Sequence, residues 1–203
     1  MNLSSSTTPS CASQHAHAKA ATMKWVDDIV IKHNFCPFAR YVRQPNRIRC
    51  ETLSGDAGDI LEALYDEIKF LDDNDATATT LLVLLNESVK RFEDYLDVLA
   101  IAEKMLQDWG YAGTYQLASF HPNYVFSGNE EKDVENFTNR SPYPLLHLIR
   151  ESDISLYMRN EDDAEKIFTH NIQKANALGC PYFEQQLAKI KSTGSPESEP
   201  EKG

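Results

Sequence analysis

Apolar side chains first recur at helical spacing around Trp25, Val26, Ile29, Val30 and His33, which predicts an amphipathic helix beginning near residue 18. Pro37 disfavours helical geometry at Cys36, so the helix is expected to stop there. Residues 47–53 alternate Ile48, Cys50 and Thr52 against Arg47, Arg49 and Glu51, the period of a strand. Ser54, Gly55 and Asp56 form a turn, with Asp56 placed to cap a helix whose apolar stripe is Ile60, Leu61, Leu64, Ile68 and Leu71. Residues 79–85 are a continuous β-favouring run, as expected of a strand buried on both faces. A helix over 90–109 carries Phe92, Tyr95, Leu96, Leu99, Met105 and Leu106 and ends at Gly110. A third strand, residues 115–120, stops at His121 and Pro122.

Residues 123–143 show no clear period. Connections this long are usually functional or disordered, and Tyr124, Val125, Phe126, Phe137 and Tyr143 argue for order. Pro144 suits the first turn of a helix packed inward through Leu145, Leu146, Leu148 and Ile149. A last helix is expected over 162–177, closed by Gly179. Alternating helices and strands suggest right-handed crossovers between parallel strands. The expected fold is a single α/β domain with a small, mainly parallel sheet flanked by helices; a ferredoxin-like α+β arrangement is the alternative. The domain is expected over 19–180, between a disordered segment at 1–18 and a disordered acidic tail at 192–203.

Composition narrows the partners. The 203 residues carry a net charge of -11, which argues against nucleic-acid backbones and anionic membrane surfaces. No apolar run is long enough to span a bilayer, and the first residues lack the apolar core of a secretory signal. Cys11, Cys36, Cys50 and Cys180 match neither a zinc ribbon nor a disulfide framework, so a cytoplasmic protein with reduced thiols is expected. The charge is uneven, with a basic island over 19–49 beside an acidic helix over 56–75. That leaves room for a small anion in a local basic pocket.

The chemistry-bearing residues cluster around the long loop. His121 ends the third strand, where parallel sheets bind ligands, and imidazole titrates near neutrality. Asn139, Arg140, Ser141 and Tyr143 sit on a turn stiffened by Pro142 and Pro144, at an expected helix N-terminus suited to an anion. His147 and Arg150 would share one face of that helix. Cys36 stands in the basic island near Arg40 and Arg43, either as a nucleophile or as a packed wall. No metal site is expected, because the folded part lacks HxH, HxxxH and CxxC spacings, and no cofactor is indicated.

Several of these segments resemble the bacterial family called domain of unknown function 1415. The resemblance rests on Asn34-Phe35-Cys36-Pro37-Phe38-Ala39, with Phe35 where the family pattern has Leu, and on Gln116-Leu117-Ala118-Ser119-Phe120-His121-Pro122 with Tyr124, Phe126 and Gly128. It continues through Asn136, residues 138–144 and residues 146–151, and covers about 20–179. It implies a soluble bacterial protein of this size and names no activity. The expectation is therefore a cytoplasmic enzyme acting on a small anionic metabolite. Arg140, Arg150 and Arg40 would hold the anion, with Asn139, Ser141 and Tyr143 beside them. His121 would be general acid/base, His147 would assist, and Cys36 would be nucleophile or wall. The alternative is a non-catalytic domain that senses a ligand in the same pocket or docks a protein on the acidic 56–75 face.

Overall fold

The computed structural model describes residues 10–155 and 161–193. Helix α1 (Cys11–Trp25) runs into a single widened π turn, Val26–Ile31, and Asn34 at φ 57° turns the chain toward short helix α2 (Ala39–Arg43). Then follow β1 (Ile48–Leu53), α3 (Ala57–Asp73), β2 (Thr79–Leu84), α4 (Phe92–Asp108), β3 (Tyr115–Phe120) and β4 (Leu145–Arg150). Helices α5 (Glu151–Ser155), α6 (Glu161–Leu178) and α7 (Cys180–Ser192) follow within the described residues. Helix α3 starts where expected, because the Asp56 carboxylate accepts from Gly58 and Asp59 N–H while Asp59 reaches back to Asp56 N–H, a reciprocal cap.

The expected α/β layered domain is present, with a refined sheet. The strand order is β1-β2-β4-β3; β1 and β2 pair in parallel, and β4 is antiparallel to both neighbours. Strands β1, β2 and β3 do share one direction, as alternation predicted. The mainly parallel sheet becomes a mixed one because residues 145–150 form a strand, not a helix. Leu145-Leu146-His147-Leu148 is apolar on both faces, so periodicity cannot separate a buried strand from a buried helix. Pro144 sits just before the strand, and its carbonyl accepts Leu84 N–H at 2.9 Å. His147 and Arg150, an odd separation apart, therefore point to opposite faces and not to one.

Helices cover both faces, which excludes the ferredoxin-like alternative with its helices on one side. On one face α3 and α4 set Ile60, Tyr95 and Leu99 on Leu82, Leu84 and Leu146. Tyr95 O–H also donates to the Leu145 carbonyl at 2.8 Å and accepts Phe120 N–H, tying α4 to the inserted strand. On the other face α1, the π turn and α7 set Ala18, Trp25, Ile29, Phe183 and Ile190 against Leu81, Val83 and Leu145.

The domain is longer at both ends than expected. Residues 11–18, placed in a disordered segment by their small polar content, form the first turns of α1. Ser10 caps it, Ala18 is fully buried, and His15 bonds the hydroxyls of Thr52 and Ser54 at 2.7 and 2.8 Å. Alanine-rich composition favours helix wherever one face finds a partner. Helix α7 carries the domain past residue 180 to Ser192. The expected disorder at 1–9 and 194–203 lies outside the described residues. Among the described residues no helix is long and apolar enough to cross a membrane.

Candidate functional site

A cavity of about 230 Å³ lies between the sheet and the α1 side of the molecule. Sheet register builds its floor. Ala118 stands beside His147 and His147 beside Leu81, while Gln116, Ile149, Thr79 and Ile48 form the adjacent row. All of these line the cavity. Trp25, Val26 and Val30 form its roof, so the π turn widens the helix where it covers the hollow. The wall is Cys36, Phe38, Ala39, Tyr41 and Val42, and Arg47, Phe120, Asp153 and Ile154 also line the hollow.

Two polar groups lining the cavity stand out. His147 Nε2 and Asp153 Oδ2 are buried and have no hydrogen-bond partner. Such atoms are uncommon, because burying a polar group without a partner costs about 1–3 kcal/mol. Burial pulls the His147 imidazole down to about 4, so it is neutral at physiological pH. Its ring lies 6.2 Å from that of Phe120. Burial also pushes the Cys36 thiol up, against the smaller opposing effect of backbone N–H groups at Ala39 and Phe38, so the thiol is protonated. Cys50 on β1 is pushed up to about 12, again by burial.

Of the residues expected to act together, the structure brings Cys36 and His147 to one cavity. His121 is elsewhere. It is fully buried beneath α4, with Nε2 3.1 Å from the Val89 carbonyl and Nδ1 accepting Asn123 N–H at 3.0 Å. Both ring nitrogens are thus committed to the backbone, and Phe92 and Tyr95 flank the ring at 5.3 and 5.2 Å. Asn139 bridges the Ser119 carbonyl and the His121 N–H. Ser141 O–H donates to the Tyr143 carbonyl at 2.6 Å, and Tyr143 packs half-buried on the α1-side core. Arg40 is exposed on α2.

Arg140 in the loop and Arg150 at the end of β4 both clamp backbone. Arg140 donates to the carbonyls of Tyr124 (3.1 Å) and Glu131 (2.7 Å), and its guanidinium lies 4.5 Å above the Phe137 ring. Together with buried Asn136, which holds Phe126 N–H and the Glu130 carbonyl, it gives residues 123–143 an internal skeleton. Arg140 also borders a more open polar cleft with Lys90, Arg91 and Lys132, but Glu87, Glu93 and Glu130 pair with those cations. Arg150 donates to the carbonyls of Leu71, Asn74 and Thr77 and to the Tyr115 hydroxyl. It therefore satisfies the carbonyl end of α3, where helices leave acceptors unpaired. Arg150→Met is expected to lose about 2 kcal/mol of stability and to leave the cavity unchanged. Urea unfolding measures the first; a midpoint equal to wild type would show that the clamp contributes nothing.

The basic island is likewise mostly paired. Lys19 meets Glu51, Lys24 meets Asp28, and Arg43 meets Asp27, at 2.6, 2.6 and 2.9 Å. Arg49 reaches buried Glu67 of the acidic helix at 2.8 Å. Among the described residues no group of three His, Cys, Asp or Glu side chains gathers as a metal site. Sequence reasoning passed over Asp153, Trp25, Phe120 and Ala118 as site residues. The alternation of Gln116, Ala118 and Phe120 in a predicted strand was the available signal for the floor.

A family model described as a protein of unknown function (DUF1415) matches residues 17–185. No curated protein and no solved structure matches the chain.

Proposed function

The chain belongs to the DUF1415 family, and because that description carries no activity we propose a function from the cavity itself: the protein binds a small, largely apolar molecule between its sheet and α1. The observation that carries this reading is the hollow of about 230 Å³, which leaves sheet residues such as Ala118 and Ile149 incompletely covered on their core-facing side. An apolar cavity of about 150 Å³ already accepts benzene. Apolar linings with a few convergent polar groups are the usual make-up of a ligand site.

Binding is favoured over nucleophilic turnover by the state of the polar groups. A protonated Cys36 thiol is a poor nucleophile, and a strongly depressed His147 is a weak base near neutral pH. The guanidiniums of Arg140 and Arg150 are engaged with backbone carbonyls, and Arg40 is exposed and does not line the hollow. A ligand-sensing or carrier role fits these facts better than catalysis.

Toluene is a suitable first probe. At 100 times its dissociation constant it is expected to stabilise the protein by about 2.7 kcal/mol, seen as a raised Tm. Ala118→Phe places a ring into the hollow from the floor. It is expected to keep the fold and to abolish the toluene-induced shift; Ala118→Leu is a smaller filler if phenylalanine overpacks. A shift of equal size in wild type and a folded cavity-filled variant would refute this site.

A further inference from the structure

We propose that the ligand of this cavity is a small organic ammonium, an amine with a compact apolar body, held by Asp153 and the aromatic side chains around it. The inference rests on the binding reading above and names the ligand class for the same site.

The first ground is the unpartnered carboxylate oxygen. Asp153 lines the cavity, and its Oδ2 is buried without a hydrogen-bond donor. Asp153 as a whole is half-buried, and a carboxylate oxygen shielded from water without a donor favours a cation or a strong donor beside it. An ammonium supplies both, through a charge-assisted hydrogen bond. The second ground is the aromatic lining. Trp25, Phe38, Tyr41 and Phe120 border the hollow, and ring faces carry the negative end of the quadrupole that attracts cations.

The remaining wall is compatible with a cation. His147 is neutral and brings no repelling charge, and its Nε2 also lacks a partner. Arg47 lends its stem, while its guanidinium donates to the Ala76 and Asp75 carbonyls at 3.2 and 3.4 Å. Val26, Val30, Val42 and Leu81 suit a hydrocarbon body. The protein's net charge of -11 draws cations toward it and repels anions. An anionic ligand would instead face Asp153 across an apolar space, where like charges repel strongly.

Calorimetric titration of the full chain with benzylamine, benzyl alcohol, benzoate and toluene tests this. Wild type is expected to bind benzylamine at least tenfold more tightly than benzoate. Asp153→Asn is expected to weaken benzylamine at least tenfold and leave benzyl alcohol unchanged. Benzoate binding as tightly as benzylamine, or an Asp153→Asn protein that holds benzylamine as well as wild type, would overturn the ammonium inference. If the variant does not fold, the wild-type ranking of benzylamine against benzoate decides. Toluene binding with no preference for the amine overturns this inference alone. Failure of all four probes overturns the cavity-binding reading with it.

Discussion

Trp25→Ala is expected to cost about 4 kcal/mol of stability, at the upper end of what core truncations remove. Trp25 is 2% exposed and stands at the junction of α1, the π turn and the sheet. Its ring meets Phe120 edge-on at 5.2 Å, and its indole N–H donates to the Arg140 carbonyl at 3.1 Å. Alanine would remove the aromatic contact, leave that carbonyl without its donor, and enlarge a hollow that already lies beside it. The surroundings are poorly placed to collapse, since Ala118 and His147 on the floor are held by sheet register. At about 2–4 °C per kcal/mol for a domain of this size, the Tm should fall by about 8–16 °C. Urea unfolding with an unchanged slope would attribute the loss to the native state. A loss below about 1 kcal/mol would mean that Trp25 does not tie α1 to the sheet and the loop.

Acid should destabilise the protein through His147. Its imidazole is ordinarily near 6.5 and is pulled to about 4 by burial in the fold. Between those values the unfolded chain takes up a proton that the folded one refuses. The contribution is therefore fully present above pH 6.5 and is lost as pH falls toward 4, by about 3 kcal/mol in all. His33 and His121 are lowered by burial too, and act with the same sign. His147→Leu removes one of these protons and an unpartnered ring nitrogen together. Its unfolding free energy should fall less steeply between pH 6.5 and 4 than that of wild type. Parallel pH profiles for the two proteins would show that His147 does not titrate differently in the two states.

Of the elements from β1 to β3, β1, α3, α4 and β3 could be read from residue patterns because each buries one face or bears a clear cap, and β2 because a short continuous β-favouring run stands between turn residues. Ile60, Leu64, Ile68 and Leu71 recur at helical spacing and all lie in the core. Leu145 to Leu148 gave the opposite lesson. A strand sandwiched between two helical layers loses its polar face, and with it the period that marks a strand. That misreading propagated to the site. Once residues 145–150 form a strand, His147 faces the α1 side and Arg150 the α3 side, and the following helix delivers Asp153 to the cavity wall. Cys36 and His147, singled out in the sequence for their chemistry, both line the cavity. The arginines misled because a guanidinium reads the same in sequence whether it awaits an anion or caps a carbonyl, and only the folded backbone shows which.

The place of β4 in the sheet sets an order of assembly. It is last in sequence among the strands, yet it lies between β2 and β3. A nascent chain that has emerged only as far as residue 144 can pair β1 with β2, but it has no strand to bridge β2 to β3. In that interval β2 keeps an open, apolar edge at Leu82 and Leu84, and β3 has nothing to lie against. Unpaired apolar edges are where chains join one another by mistake. Synthesis of residues 145–150 closes both gaps in one step, so the hazard for this fold runs from the completion of β2 until those residues are made.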